Sequence, residues 1–346
     1  MEKKKFIHFC DVTLRDGSYG IMHQYTKEQV VQITKGLSQA GVKLIEVGHG
    51  DGVGGSTITY GRSLLSEEEM FRTAAENKGD AELMLVCIPG IGTMEEVTKA
   101  HANGVQWARV AVHATESDVT EQHIKQCKNI GMNVAAMLST CHVLNLEETI
   151  MHAKRLESYG ADVIYLADSC GTMFPEEVKE RFTLLKEHVQ VPLGFHGHNN
   201  LTMAIANSLA AAEAGADYID GACRGMGAGA GNAQSEVLIG CLKRKQYETG
   251  VDFYQLMDLA EEVVEPVLQR PQVVRNMALV IGYVGTYGSF LLHAEKAGKK
   301  YGLDSRTIIE ELGRRKMVMG QEDMIVDVAY ALAQEKEQKE RGAQKE

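Results

Sequence analysis

What most constrains this chain is an alternation. From residue 6 to about residue 245, short apolar runs of strand length alternate with amphipathic helical patterns, eight times over. The strands are expected at 7–12, 44–47, 82–88, 107–112, 133–138, 163–167, 193–195 and 218–222. The helices are expected at 27–40, 66–76, 94–102, 121–130, 146–159, 175–188, 201–214 and 233–245. The strands are near-continuously apolar, as in a parallel sheet covered on both faces. Eight such units in 346 residues favour an α/β fold closed as a (β/α)8 TIM barrel over a doubly wound sheet. Five helical patterns stop at a glycine (41, 104, 131, 160 and 215) just before a strand, which is helix-stop chemistry in a left-handed cap.

From Asp252 the pattern becomes helical only, at 253–267, 275–297, 306–315 and 324–334, with Pro266 and Pro271 at the first junction. The expected division is a barrel over 1–250, a C-terminal all-helical domain over 251–340 and a charged tail over 341–346. Tyr283, Tyr287 and Phe290 share a face of the second helical pattern, and packing is expected for two of the three.

Within this frame, Asp11-Val-Thr-Leu-Arg15-Asp16-Gly17 follows the first strand, and Gly194-Phe-His196-Gly-His198 ends the seventh. Charged residues at the end of a buried strand are expensive unless they pair or do chemistry. Histidines at i and i+2 of a strand point to one side. A barrel gathers all its strand ends at one face, where Asp16, His196 and His198 can meet as a two-histidine, one-carboxylate metal set. Such nitrogen and oxygen ligands suit Mn²⁺, Mg²⁺, Co²⁺ or Zn²⁺. Arg15 beside them offers a permanent cation to a substrate oxyanion, and Glu46 at the end of the second strand is placed to pair with it and orient it. Asp168 and Asn232 are further strand-end polar groups, expected to support the site rather than react. The glycine-rich stretch 225–232 follows the last strand, so it reads as a loop whose backbone N–H groups approach an anion and not as a dinucleotide fingerprint.

His8 is expected in the core; His49, His113 and His142 near the pocket; His101, His123, His152, His188 and His293 on helix surfaces. The seven cysteines are scattered singly with no C-x-x-C, against a disulfide framework or a cysteine zinc site. A net charge of −11 weighs against nucleic acid. No apolar run is long enough to span a membrane and the start lacks a signal-peptide core, so a cytoplasmic location is expected.

At these motifs the chain closely resembles the 4-hydroxy-2-oxovalerate aldolases, which stand with isopropylmalate and citramalate synthases among pyruvate-binding, metal-dependent barrels. The resemblance runs nearly end to end. It covers Thr13-Leu-Arg-Asp-Gly17, His23-Gln-Tyr-Thr26, Glu46-Val-Gly-His-Gly-Asp-Gly52, Tyr60-Gly61, the stretches 194–201 and 225–232, and Gly320-Gln-Glu-Asp-Met-Ile-Val-Asp-Val328. It implies a class II aldolase in aromatic-compound breakdown, a carbon–carbon lyase using Mn²⁺ (or Mg²⁺ or Co²⁺). The substrate is a 4-hydroxy-2-oxo acid; the products are pyruvate and a small aldehyde. Asp16, His196 and His198 hold the metal in this resemblance, Arg15 and the metal stabilise the pyruvate enolate, Asn232 helps bind substrate, and Tyr287 matches a family tyrosine near the C4 substituent. A homo-oligomer and an acylating aldehyde dehydrogenase partner are also implied.

Two positions depart from the family. Its usual base histidine, two residues after the Arg-Asp-Gly glycine, is Tyr19 here. A free phenol has a pKa of about 10 and is a poor base unless a cation lowers it; a metal and Arg15 are the cations placed to do so, and the base is left unassigned. His23 is the other candidate base. Met319 stands where dehydrogenase-coupled members usually carry a glycine; its side chain narrows an aldehyde passage, which predicts weaker channelling or a stand-alone aldolase. The rival readings are a Claisen-type condensation of an acyl-CoA with a 2-oxo acid on the same fold, a non-haem iron oxygenase, and a binding subunit that has lost its base.

Overall fold

The computed structural model describes residues 5–288, 290–318 and 320–343. Met319, and with it the expectation of a narrowed passage, lies outside the described residues. Eight parallel strands close into a barrel in chain order: β1 (His8–Asp11), β2 (Leu44–Glu46), β3 (Glu82–Cys87), β4 (Trp107–His113), β5 (Asn133–Ser139), β6 (Val163–Asp168), β7 (Leu193–Gly197) and β8 (Tyr218–Gly221). β8 closes the ring on β1, with Phe9 opposite Ile219 and Asp11 opposite Gly221. The helices α1 (Lys27–Gln39), α2 (Glu67–Asn77), α3 (Met94–Ala102), α4 (Glu121–Asn129), α5 (Leu146–Tyr159), α6 (Pro175–His188), α7 (Ala204–Glu213) and α8 (Ser235–Arg244) cover it. All eight strands and eight helices fall on their expected segments, with ends moved by a few residues.

Local chemistry explains the starts and stops. Thr26 and Gln29 form a reciprocal capping box on α1, and Asn145 and Glu148 do the same on α5. Gly160 takes φ +102° after α5, where a side chain would be strained, and the other four helix-stop glycines also take positive φ.

After α8 come α9 (Phe253–Asp258), α10 (Asn276–Val284), α11 (Phe290–Tyr301), α12 (Ser305–Arg314) and α13 (Met324–Ala343). α9 runs into a π turn (Leu259–Val264) and a short 3-10 turn (Glu265–Val267) rather than continuing as one α-helix. Leu256, Leu259, Ala260 and Val264 pack into the barrel's apolar core. A second apolar cluster, including Phe290, Ile308, Ile309, Leu312, Ile325 and Ala329, holds α11, α12 and α13 together.

The single helix expected at 275–297 is two. α10 ends at Gly285, whose φ of +72° turns the chain, and α11 begins at Phe290. The apolar periodicity runs through the break, so it did not reveal it. The turn separates the three aromatics: Phe290 is buried, Tyr287 reaches the barrel mouth, and Tyr283 is 77% exposed, so it does not pack within this chain. Two histidines also differ from expectation. His8 is exposed at the start of β1, stacked on the Tyr218 ring at 4.5 Å. His152 is buried on the inner face of α5, its Nδ1 2.7 Å from Ser117 Oγ. Among the described residues, no helix is long and apolar enough to cross a membrane.

Candidate active site

β1 delivers Asp16 one tight turn beyond its end, at the head of a 3-10 turn (Asp16–Ile21), and β7 ends through His196 and His198. The closed ring brings them together. His196 Nε2 lies 3.2 Å from His198 Nε2, and Asp16 Oδ2 lies 3.8 Å from each. All three side chains are buried. The other nitrogen of His196, Nδ1, donates to Asp220 Oδ2 at 2.9 Å. This bond fixes the His196 tautomer so that its Nε2 lone pair faces His198 Nε2 and the Asp16 carboxylate. The point equidistant from the three atoms is the circumcentre of their 3.2, 3.8 and 3.8 Å triangle. It lies about 2.1 Å from each, within the roughly 2.0–2.2 Å of divalent-metal bonds to nitrogen and oxygen. The donor set therefore fits a divalent cation.

Charge arranges the surroundings. Arg15 donates through Nη1 to Asp16 Oδ2 and through Nε to Glu46 Oε2, both at 2.5 Å. Glu46 Oε1 lies 3.1 Å from Arg109 Nε, and Arg109 Nη1 donates to Asp220 Oδ2 at 2.5 Å. A ring of buried charges thus runs from Asp16 through Arg15, Glu46, Arg109 and Asp220 to His196. With neutral histidines it carries one net negative charge, which a divalent cation reverses. Burial works to raise the Asp16 carboxyl, but Arg15, then His198 and His196, hold it well below the usual carboxylate range. Burial brings His198 down to about 4, which keeps it a neutral ligand at physiological pH.

The glycine loop after β8 does approach an anion, and that anion is Asp16 itself. Ala228 N–H and Asn232 Nδ2 donate to Asp16 Oδ1 at 3.3 and 3.0 Å. A Cβ at Gly227 would stand 2.2 Å from Asn232 Nδ2 and 2.8 Å from Asp16 Oδ1, so only glycine leaves this cradle open.

Tyr19 stands beside this set, in the same 3-10 turn as Asp16. Its phenol faces the Asp51 carboxylate. Burial, then Asp51 and Asp16, hold that phenol protonated well above its ordinary range, and the opposing pull of Arg15 is the weaker. Of the two cations expected to draw it down, Arg15 by itself does not offset them. His23 packs edge-on against the Tyr19 ring at 5.0 Å and stacks on His49 at 3.8 Å. His23, His49 and Asp51 also cluster closely enough to invite a metal. Yet the two imidazoles lie face to face, 25° apart, and in-plane lone pairs of stacked rings do not converge at the ~2 Å of a metal–nitrogen bond.

Tyr287 is not among the contacts of the Asp16 cluster. Its hydroxyl lies 3.3 Å from Thr140 Oγ1, and its ring is 6.0 Å from His113, on the side of the mouth opposite β1. His142 Nε2 lies 3.1 Å from the Gly285 carbonyl, tying the break after α10 to the barrel. The Asp168 carboxylate caps its own loop, accepting from Thr172 and Met173 N–H, while the Asp168 backbone carbonyl accepts the His198 N–H at 3.2 Å.

Sequence reasoning missed Arg109, Asp220 and Asp51. The first two carried a signal: each is a charge inside an otherwise apolar strand, which is tolerable only with a partner. Asp51 carried only its place in a glycine-rich loop at a strand end.

The comparisons with known proteins agree with this geometry. The HMGL-like family model matches residues 6–263, and the DmpG-like communication domain matches residues 272–334. A 4-hydroxy-2-oxovalerate aldolase from Moorella thermoacetica is 55% identical over 95% of this chain and 98% of its own. One from Geobacillus stearothermophilus is 49% identical over 97% of this chain and 98% of its own. Among solved structures, the carboxyl transferase domain of Rhizobium etli pyruvate carboxylase shares the fold, with a TM-score of 0.81 at 18% identity over 96% of this chain and 61% of that one. With relatives this similar across both units, and with the barrel model matched in full view of its strand-end cluster, the chain belongs to the HMGL-like 4-hydroxy-2-oxovalerate aldolase family.

Proposed function

We propose that this chain is a divalent-metal-dependent carbon–carbon lyase that cleaves a 4-hydroxy-2-oxo acid, such as 4-hydroxy-2-oxopentanoate, to pyruvate and acetaldehyde. The observation that carries the reading is the Asp16, His196 and His198 triangle with Arg15 against it. Those three residues would hold Mn²⁺, with Mg²⁺ or Co²⁺ as substitutes. A bound divalent ion supplies Lewis-acid polarisation of the substrate's 2-oxo and carboxylate oxygens.

The chain's own residues do the rest. Arg15, held in place by Glu46, presents a fixed cation where negative charge grows as the C3–C4 bond breaks. Asn232 holds Asp16 through its amide N–H, and its buried Oδ1 has no partner among the described residues, so it is free to accept from a ligand. Tyr287, presented by the break after α10, closes the far side of the mouth toward the C4 substituent. The chemistry is assigned to the barrel, residues 1–250, and the closing of the mouth to the helical unit, residues 251–340. The match of that unit to a communication domain supports an acylating aldehyde dehydrogenase as partner. A homo-oligomer and a cytoplasmic location complete the reading, the latter supported by seven unpaired cysteines.

The test is pyruvate release from 4-hydroxy-2-oxopentanoate by the full chain. Mn²⁺ is expected to support it, chelation to abolish it, and His196→Ala to remove both activity and Mn²⁺ binding. Arg15→Ala is expected to cost about 10²–10³ in kcat, the scale of a lost charge-stabilising donor. Coenzyme A release from acetyl-CoA and a 2-oxo acid, with no cleavage, would instead establish the condensing reaction.

A further inference from the structure

The reaction proposed above needs a group to take the C4 hydroxyl proton. We propose that Tyr19 and Asp51 act together as that acceptor: Tyr19 meets the hydroxyl and relays its proton to the carboxylate of Asp51 behind it. This deepens the aldolase reading and rests on it.

The geometry carries the assignment. The loop after β2 brings Gly50 and Asp51 against Tyr19. A Cβ at Gly50 would lie 2.5 Å from Tyr19 Cε2, so the ring occupies the space that a glycine leaves. The Tyr19 phenol faces the Asp51 carboxylate, and Arg15 Nη1 lies 3.3 Å from the Gly50 carbonyl, so the pair borders the Arg15–Asp16 cluster. Asp51 is buried, and besides Tyr19 the charged or titratable groups facing it are Arg15, Asp16, His49, Tyr60 and Glu322.

The neighbours do not fill the role. His49 Nδ1 accepts the Asp51 backbone N–H at 3.0 Å, so its proton sits on Nε2, directed at the Gly61 carbonyl at 3.0 Å. Both nitrogens of His49 are thereby committed. His23 is lowered to about 4 by burial and by His49, too weak a base to compete at neutral pH. A phenol held protonated is not a base by itself, but it passes a proton when an acceptor stands behind it. Burial raises Asp51 to about 6, which makes it a stronger base than an ordinary carboxylate while leaving it ionised at pH 7 and above.

The step balances. The C4 hydroxyl proton moves to the Tyr19 oxygen as the phenol's own proton moves to Asp51. The C4–O bond becomes a carbonyl, the C3–C4 bond breaks, and its electron pair passes into the enolate. The proton held by Asp51 returns through Tyr19 to C3 of the enolate, so pyruvate and aldehyde leave with no net proton gained or lost.

The test compares two reactions of the Mn²⁺-loaded full chain across pH 5–9. One is cleavage of 4-hydroxy-2-oxopentanoate. The other is decarboxylation of oxaloacetate, which reaches the same enolate by losing CO₂ with no hydroxyl proton to remove. Tyr19→Phe and Asp51→Asn are each expected to lower the ratio of cleavage to decarboxylation by about 10²-fold or more, the scale of a lost general base. Wild-type kcat/KM for cleavage is expected to rise with pH through about 6 as Asp51 ionises. That rise is expected to vanish in Asp51→Asn and to persist, displaced, in Asp51→Glu. A ratio within about threefold of wild type in Asp51→Asn, or an unchanged acid limb there, overturns the relay and leaves the aldolase standing. Decarboxylation without cleavage in wild type refutes the aldolase reading, and the relay falls with it.

Discussion

Arg109→Met tests the charged ring beneath the site. Arg109 is fully buried, pairs with Asp220 and Glu46, and lies 4.3 Å over the Tyr165 ring. Methionine keeps most of the apolar volume, but two buried carboxylates lose their shared cation. Arg15 still holds Glu46, and His196 still holds Asp220, so neither is wholly orphaned. Breaking a buried pair by removing one partner costs about 3–5 kcal/mol. That is a large share of the roughly 5–15 kcal/mol by which native proteins are stable. Trp107, the single tryptophan, begins the same strand two residues away, so its emission during urea unfolding reads the barrel directly. The midpoint is expected to fall with an unchanged denaturant slope. Arg109→Met with Asp220→Leu removes cation and anion together and is expected to be more stable than Arg109→Met alone. A single-variant loss under about 1 kcal/mol, or a double variant less stable than the single, refutes the account of the ring as mutually compensating charges.

Two further outcomes follow from individual contacts. Gly227→Ala pushes a methyl group onto Asn232 and Asp16, and is expected to weaken Mn²⁺ binding by roughly 10–100-fold, as other disruptions of ligand-orienting partners do. Electron paramagnetic resonance titration reads this, and an unchanged affinity would show that the loop yields freely. Glu67, whose Oε1 accepts the Gly54 N–H at 2.8 Å, is pushed up to about 7 by burial, above an unfolded glutamate at about 4.3. The folded state therefore holds that proton more tightly, so this contribution is full below about pH 4 and is lost as pH rises through about 7. Glu67→Gln keeps the acceptor and is expected to flatten that part of the Tm–pH curve; an unaltered slope would count against the assignment.

The barrel was legible because its signals are local and repeated. Apolar runs of strand length and a helical period recur eight times, five of them with a stopping glycine, and a one-unit error is corrected by the next. The Asp16, His196 and His198 cluster was legible for a related reason: a histidine pair at i and i+2 and an aspartate at a strand end need only the topology to bring them together. The break at Gly285 was not legible, because apolar residues keep their helical spacing on both sides of it and a glycine in a helical pattern does not announce a turn. Burial of His152 and exposure of His8 depend on which neighbours cover them, which no periodicity records.

By itself, the sequence determined the strand and helix order, the identity of the three metal-competent side chains and the Arg15–Glu46 pairing. Only the tertiary structure decided what surrounds them. Arg109 and Asp220 lie 111 positions apart, and Asp16 and Asn232 lie 216 apart, so their contacts exist only once the barrel closes. Tyr19 faces an aspartate from the next strand's loop, a neighbour that its own segment does not reveal. Local spacing fixes which face a side chain takes along one strand. Which charges meet across the ring, and so which protons are held or released, is set by the closure of the barrel and by the loss of water inside it.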